Sequence, residues 1–314
     1  MILPNDSSAA TLVGRAWRPD ASGPSVVAIR DGALMDVTSR AAPTMSALLE
    51  MEDPAAFLRA ADGETIGSLE DAMAGAEAGE GLRLLSPPDL QALKACGVTF
   101  ARSMIERVIE ERAEGDSDKA AEIRQKIAEA IGAEIREVRP GSDGAARAKA
   151  MLQAEGLWSQ YLEVGIGPDA ELFTKSQPMS AVGWGADIGL HPKSEWNNPE
   201  PEIVLAIDSR GRVKGATLGN DVNLRDFEGR SALLLGKAKD NNASAAIGPF
   251  IRLFDDGYGI DDVRAAEIRL RIDGEDGFAL DGSSSMSEIS RDPLDLVAQA
   301  LGRHHQYADG LFLY

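Results

Sequence analysis

The sequence has little cysteine, little histidine and no long apolar segment. Cys96 is its single cysteine, which excludes an intrachain disulfide framework or a cysteine-based zinc site and favours a reducing compartment. Three histidines occur, and two of them are adjacent. Adjacent residues on a helix point about 100° apart, so a histidine-based zinc centre is not indicated. No apolar run approaches the ~20 residues of a membrane span, and the N-terminus lacks the pattern of a secretory signal. We therefore expect a cytoplasmic protein.

Positive charge is also scarce. Lys and Arg number 32 against 51 Asp and Glu, which gives a formal net charge of −19. Binding to nucleic acid or to an anionic membrane needs clustered positive side chains, so neither is an expected partner. A small anion needs only one local positive site and is not excluded. The sequence has no glycine-rich nucleotide loop of either common type and no G-x-S-x-G elbow, so a nucleotide site and an α/β-hydrolase triad are unsupported.

The order of sequence patterns predicts a mixture of helices and strands. Residues 10–38 alternate like short strands, 42–61 read as short helices, and 62–84 read as loop and a frayed helix. Residues 100–141 and 146–155 have helical periodicity. Short apolar runs after residue 157 are typical of antiparallel strands, including 201–208 and 212–220, with helices at 225–235 and 292–304. We expect an α+β protein with a small domain at 1–85 and a main domain at 86–314.

Three acidic residues stand close to two of these predicted strands. Glu200 and Glu202 lie at the start of one strand, where residues two apart point to the same side. A turn at Gly211 would reverse the chain and bring Asp221 beside them. Converging carboxylates repel one another unless a cation lies between them, and hard oxygen ligands suit Mg²⁺ or Mn²⁺. From spacing alone, solvated strand ends explain these residues equally well, because E-x-E pairs are common.

Four segments together resemble the fumarylacetoacetate hydrolase superfamily over roughly residues 90–314. In chain order they are GVTF through Glu106, then EPE at 200–202, DVNLRD at 221–226, and KAKD running to Gly248-Pro249. The resemblance implies a mainly antiparallel β-roll with flanking helices, preceded by a small N-terminal α/β domain. It also implies that Glu200, Glu202 and Asp221 hold Mg²⁺ (or Mn²⁺), which outweighs the reading as solvated strand ends.

Further motifs, such as WNNPEPE and SSMSEISRDP, resemble the branch that contains bacterial 2-keto-3-deoxy-pentonate dehydratases. That resemblance implies a hydro-lyase in pentose catabolism. Its substrate would be a 2-keto acid such as 2-keto-3-deoxy-D-xylonate, and loss of water would give 2,5-dioxopentanoate. It also implies a homodimer or homotetramer.

The proposed chemistry assigns roles to further side chains. Glu106 is the candidate acid/base and Lys237 the cation that stabilises a substrate oxygen. Candidate substrate contacts are Arg102, Ser103, Arg225, Ser285 and Ser287. Candidate orienting residues are Asn223, Asp226, Asp240 and Asn242. A solvated helix face for Glu106, a surface ion pair for Lys237, structural pairing of the arginines and an ordinary loop for the serines remain open.

One departure from the family pattern bears on the reaction. In the family's hydrolases a histidine activates water, and the matching position here is Ser103, a poor general base at neutral pH. Dehydration needs no attacking water, so this favours a lyase. A metal-dependent hydrolase of acylpyruvates or 2,4-diketo sugar acids remains the alternative. Relatives in this branch continue beyond Tyr314, so we expect the closing strands to be missing, which leaves an inactive scaffold as a further alternative.

Overall fold

A computed structural model describes residues 2–97, 108–109, 112–113, 117–131 and 138–314, with the backbone alone for 127–131. Its strands are β1 (Leu12–Arg18), β2 (Gly23–Arg30), β3 (Ala33–Asp36), β4 (Glu64–Ser68), β5 (Arg83–Leu85), β6 (Ala92–Cys96), β7 (Leu172–Ser176), β8 (Asn197–Asn198), β9 (Pro201–Ile207), β10 (Val213–Asp221), β11 (Asn223–Leu224), β12 (Ala245–Ile247), β13 (Ile251–Leu253), β14 (Glu267–Asp273), β15 (Ala279–Ser285) and β16 (Leu311–Leu313).

The helices of the described residues are mostly short. In chain order they are α1 (Met45–Leu49), α2 (Pro54–Ala60), α3 (Leu69–Ala78), α4 (Ser117–Ile131), α5 (Asp143–Ala154), α6 (Gln160–Ile166), α7 (Arg225–Glu228), α8 (Leu235–Lys239), α9 (Ile260–Arg264) and α10 (Pro293–Ala300). Short 3₁₀ turns occupy Ala232–Leu234 and Met286–Glu288. Among these helices, none combines the length and the apolar character that crossing a bilayer requires.

A twelve-stranded sheet dominates the described part of the chain. Its main order is β4-β3-β2-β1-β13-β10-β9-β16-β6-β7, with β12 added to β10 and β5 added to β1. Among the described strands, the pairs in this sheet are antiparallel except for β16 with β6. The expected α+β class, with a large and mostly antiparallel sheet, is confirmed.

The sheet also runs across the expected boundary at residue 85. β1 pairs with β13, so strands from the first 85 residues and from the rest of the chain share one hydrogen-bonded sheet. Buried side chains from both parts, including Val13, Leu48, Val204 and Phe312, pack in one core cluster. The division into 1–85 and 86–314 stays a prediction.

The segment 62–84 is more ordered than its composition predicts. It forms β4 and α3, and α3 begins at a capping box in which Ser68 and Asp71 satisfy each other's backbone N–H groups. α3 ends at Gly79, whose φ of 71° lies in the left-handed region that favours glycine. These local end signals stabilise a helix that apolar periodicity alone does not reveal.

The hairpin of β9 and β10 is the element that positions the acidic residues. Gly211 has φ 80° and donates its N–H to the Asp208 carbonyl at 3.0 Å, which closes the expected turn. Glu202 then lies opposite Gly219, and Pro201 opposite Asn220. A Cβ at Gly219 would meet Tyr314 and Val204 at 2.5 Å, so the sheet packs closely at this point. The register places the end of β10 beside the start of β9.

Candidate metal centre

The structure brings Glu200, Glu202 and Asp221 together. Each offers a carboxylate oxygen, and these three oxygens lie within 4.8 Å of one another. Glu200 and Glu202 share one side of the β9 strand because they are two residues apart. Asp221 ends β10, and its N–H donates to the Glu200 carbonyl at 2.9 Å. The fold therefore supplies the convergence that the hairpin pattern predicts.

Two lysines balance part of this negative charge. Lys239 at the end of α8 donates to Glu200 Oε2 and, at 2.9 Å, to Asp221 Oδ2. Lys175 on β7 lies 3.1 Å from the other Asp221 oxygen, Oδ1. Burial alone would lower the pKa of Lys239, but the carboxylates of Asp221 and Glu200 outweigh burial and raise it. The raised pKa keeps the Lys239 ammonium protonated beside the carboxylates of Glu200 and Asp221.

The pKa of Glu202 responds to burial and to the neighbouring negative charges. Burial raises its pKa well above the ordinary value, and the neighbouring charges of Asp221 and Glu200 raise it further. Lys239 and Lys175 offset this only in part. With Glu202 ionised, three carboxylates would face two ammonium groups and leave an excess of negative charge at a set of hard oxygen donors. These residues fit a divalent cation such as Mg²⁺.

A second ring of side chains orients Glu200. Asn223 donates to Glu200 Oε1 at 3.1 Å and to Glu228 Oε2 at 2.7 Å. Arg225 donates to the same Glu228 oxygen at 2.7 Å. Burial alone would raise the pKa of Glu228, but the hydrogen bonds from Asn223 and Arg225 lower it. Asn223 and Arg225 thus connect to the cluster, one directly and the other through a glutamate that the sequence patterns did not single out.

Glu200 and Glu202 of the cluster line a cavity of about 460 Å³, together with Lys239. Its wall also carries the polar side chains of Gln160, Tyr161, Glu171 and Glu228. Apolar side chains complete the wall, namely Val164, Ile203, Leu205, Ile268, Met286, Ile289, Leu296 and Leu313. Cys96 also faces the cavity, and burial first, then the charge of Glu202, raises the pKa of its thiol. A cavity that combines these charged groups with apolar side chains suits a small organic acid.

The structure places several expected site residues elsewhere. Lys237 is exposed and lies 5.8 Å above the Phe227 ring, so the lysine at the cluster is Lys239. Lys237 and Lys239 are two positions apart in a short helix, which turns them about 200° from each other. Lys239 therefore lies where Lys237 was expected, and the catalytic role of the lysine stays a prediction.

The remaining expected residues divide into four groups. Asp226 accepts hydrogen bonds from Ser194 and the Glu195 N–H. Asp240 and Asn242 are exposed. Ser285 and Ser287 bond to each other, with 2.7 Å between their Oγ atoms, and within the described chain it is their neighbour Ser284 that lines the cavity. The expected contacts at Arg102, Ser103 and Glu106 lie outside the described residues.

The sequence patterns missed two groups at the site, the buried Lys175 and the half-buried Glu228. Lys175 lies within the short strand LFTKS. Alternation in that strand puts it on the same side as the cavity-lining residue Phe173, and this signal could have found it. Glu228 stands three residues after Arg225, a spacing at which helical side chains meet.

The chain is similar to several known proteins, although no protein-family model matches it. The chain is 33% identical over 143 residues to a 2-dehydro-3-deoxy-D-arabinonate dehydratase of Saccharolobus solfataricus, covering 46% of this chain and 47% of that protein. The match thus spans about half the length of that relative.

Two further comparisons cover more of the chain. It is 28% identical over 207 residues to a protein of Haloferax volcanii named "Probable 2-keto-3-deoxyxylonate dehydratase", over 59% of this chain and 70% of that protein. Its fold is similar to the solved structure of 2-keto-3-deoxy-D-arabinonate dehydratase complexed with magnesium and 2,5-dioxopentanoate. The TM-score is 0.65 at 20% identity, covering 96% of this chain and 86% of the other.

Proposed function

We propose that this protein is a metal-dependent hydro-lyase that converts a 2-keto-3-deoxy-pentonate, such as 2-keto-3-deoxy-D-xylonate, into 2,5-dioxopentanoate and water. The observation that carries the proposal is the group of Glu200, Glu202 and Asp221 oxygens within 4.8 Å of one another. The cavity above them and the names of both sequence relatives support the same reaction. The reaction belongs to pentose catabolism.

The finer fold assignment is part of this proposal. We propose that residues 86–314 form a β-roll of the fumarylacetoacetate hydrolase type and that 1–85 form a small N-terminal α/β domain. The similarity to the magnesium-containing dehydratase structure, with a TM-score of 0.65, supports the assignment of the fold.

Glu200, Glu202 and Asp221 would hold the ion, Mg²⁺ or alternatively Mn²⁺. All three donors are carboxylates, and hard divalent cations prefer oxygen ligands. A bound ion of this kind polarises the 2-keto group and makes the C3 protons more acidic. In addition, Asn223 restrains Glu200 through its hydrogen bond of 3.1 Å.

Side chains of the protein would bind the substrate and transfer its protons. The ammonium of Lys239 offers positive charge where a substrate oxygen gains negative charge. Glu106 is proposed as the acid/base that removes the C3 proton and assists departure of the C4 hydroxyl as water. Transfer of a proton from C5 to C3 then gives a C4–C5 enol, and its tautomerisation, with the hydroxyl proton moving to C4, gives the aldehyde. Substrate contacts are proposed for Arg102, Ser103, Arg225, Ser285 and Ser287, and orienting roles for Asn223, Asp226, Asp240 and Asn242.

The decisive experiment compares wild type with Glu202→Gln on 2-keto-3-deoxy-pentonates in the presence of Mg²⁺. We expect wild type to give one aldehyde acid as product. We expect the variant to lose more than ~100-fold in kcat, because removing a residue that only contacts a metal ligand usually lowers activity by about 10–100-fold. Glu80→Gln is the matched control, because Glu80 is exposed. Wild type that yields no aldehyde acid would refute the dehydratase proposal.

A substrate panel separates this reaction from the hydrolytic alternative. A hydrolase acting on acylpyruvates or 2,4-diketo sugar acids yields two acids, whereas the dehydratase yields a single aldehyde acid. Absence of both products, together with absence of Mg²⁺ binding by calorimetry, would identify an inactive scaffold.

We further propose a cytoplasmic homodimer or homotetramer that acts on a small 2-keto acid and binds neither nucleic acid nor membrane. The net charge of −19 supports the exclusion of polyanionic partners. Light scattering after size-exclusion chromatography measures the assembly, and a monomer at micromolar concentration would contradict it.

A further inference from the structure

Lys175 is a charged side chain with no exposed surface. Its ammonium donates to the Val222 carbonyl at 3.0 Å, to the Lys239 carbonyl, and to Ser244 Oγ at 3.3 Å. Moving an ammonium out of water costs several kcal/mol, and such a group persists only where its partners compensate. The burial of the Lys175 ammonium therefore indicates a specific role where the Val222 and Lys239 carbonyls and the Ser244 hydroxyl meet.

The partners of Lys175 belong to the segments that build the acidic cluster. Val222 directly follows Asp221, and the Lys239 carbonyl belongs to the residue whose ammonium contacts Glu200 and Asp221. One ammonium on β7 thus ties the end of β10 to the end of α8. Loss of this tie would remove one contact from both segments at once.

Asp221 divides its two oxygens between the lysines. Oδ2 accepts from Lys239 at 2.9 Å, and Oδ1 faces Lys175 at 3.1 Å. Lys175 is an ion-pair partner of Oδ1, and no group of the described residues, Lys175 included, donates a well-aligned hydrogen bond to that oxygen. The ion pair with Lys175 and the hydrogen bond from Lys239 together restrain the rotation of the Asp221 carboxylate, which is almost completely buried.

We propose that Lys175 is a positioning residue that restricts Asp221 to presenting one oxygen to the cluster, and so favours a small divalent cation over a large one. The inference rests on the proposed function, in which this cluster holds the ion. Mg²⁺ demands near-octahedral geometry, whereas Ca²⁺ accepts more ligands and a bidentate carboxylate. An Asp221 that is free to rotate would offer both oxygens, an arrangement that suits Ca²⁺ better.

The test titrates MgCl₂ and, separately, CaCl₂ into wild type and Lys175→Met by calorimetry. Both ions carry two charges, so removing a neighbouring positive charge changes both affinities in the same direction. Their ratio isolates the geometric effect. We expect the affinity for Ca²⁺ relative to Mg²⁺ to rise ~10-fold or more, the size typical of outer-shell changes at metal sites.

Lys214→Met is the matched control. Lys214 is also buried, lies on β10, and donates to the Met51 carbonyl at 2.7 Å and the Glu52 carbonyl at 3.1 Å. Its acidic neighbour, at 3.6 Å, is Asp208 rather than a member of the cluster. The Lys214 variant should keep the wild-type ratio even if it loses stability.

The outcomes separate this inference from the proposed function. Wild type that binds neither ion would refute both. Wild type that binds Mg²⁺, with an unchanged ratio in folded Lys175→Met, would overturn the positioning role alone. If circular dichroism shows Lys175→Met to be unfolded, Lys175→Gln replaces it, because its amide can still donate to the Val222 and Lys239 carbonyls.

Discussion

Lys239 and Asp221 are 18 positions apart in the sequence, and Lys239 Nζ lies 2.9 Å from Asp221 Oδ2. The contact joins the end of a short helix to the end of a strand. The contact places the Lys239 ammonium beside the carboxylates, although burial alone would lower the pKa of Lys239 and disfavour its charged form. Because of this contact, we assign the lysine at the site to Lys239 and not to the predicted Lys237.

The two lysines of α8 provide a matched pair of variants. Lys239→Met should lower kcat on 2-keto-3-deoxy-pentonates on the order of 100-fold, a usual cost of removing one group that stabilises transition-state charge. Lys237→Met should leave kcat within about two-fold, because Lys237 is exposed and removed from the cluster. Steady-state kinetics on both variants measures the difference, and equal losses would contradict the assignment of Lys239.

The carboxyl group of Asp208 should contribute to the dependence of stability on pH. Burial alone would raise its pKa, but hydrogen bonds from the Arg212 backbone and side chain and from the Arg210 N–H lower it. A carboxyl with a lowered folded-state pKa stabilises the protein above its unfolded pKa of about 3.9, and this stabilisation is lost as pH falls through the folded pKa.

Asp208→Asn should therefore lower Tm most near neutral pH, and its deficit should shrink as pH falls below about 4. Thermal unfolding followed by circular dichroism at several pH values measures the deficit. Asp187→Asn is the control, because Asp187 is exposed, and its curve should follow wild type. A deficit of constant size for Asp208→Asn would show that charge on Asp208 is not the cause.

Arg291 should be a major contributor to stability beside the cavity. It is buried, and its guanidinium donates to the carbonyls of Val164, Gly167 and Asp169 at 2.8–3.2 Å. Arg291→Met leaves those acceptors without their donor, so we expect a loss of about 2–4 kcal/mol in the free energy of unfolding.

Urea unfolding measures that loss, with Arg269→Met as control because the Arg269 side chain is 84% exposed. The control should stay within about 0.5 kcal/mol of wild type, as surface substitutions usually do. A loss for Arg291→Met no larger than for the control would mean that water replaces these hydrogen bonds.

Gly219 should tolerate no side chain. An added Cβ would meet the Tyr314 ring and Val204 at 2.5 Å, opposite Glu202 in the sheet. We expect Gly219→Ala to cost about 1–3 kcal/mol of stability, because well-packed cores resist added volume. It should also weaken Mg²⁺ binding, since β9 must shift.

Gly236→Ala is the counterpart in α8, where nothing lies within 4 Å of the added methyl group. Alanine is a better helix former than glycine by about 0.5–1 kcal/mol, so this variant should be as stable as wild type or more so. Urea midpoints compare the two. If Gly219→Ala unfolds at the wild-type midpoint, the close packing around Tyr314 is not rigid.

Patterns confined to short stretches of sequence predicted much of the fold. The alternation on either side of Gly211 predicted the hairpin of β9 and β10, and the spacing of Glu200 and Glu202 put both on one side of it. These features depend on residues only a few positions apart, so no knowledge of the rest of the chain is needed. Strand β4 was missed, and α3 was predicted only as a frayed helix because cap residues, rather than apolar periodicity, set its ends.

The sequence by itself determined an acidic protein of mixed α+β class, the hairpin, and three carboxylates able to meet on it. Only the tertiary structure decided which cations face those carboxylates. Lys239 reaches the cluster because the expected 225–235 helix ends at Gly229 and a 3₁₀ turn at Ala232–Leu234 leads into a separate helix, α8, while Lys175 lies on a strand 46 residues before Asp221. The cost of burying charge depends on neighbours from distant parts of the chain, and that quantity exists only once the chain has folded.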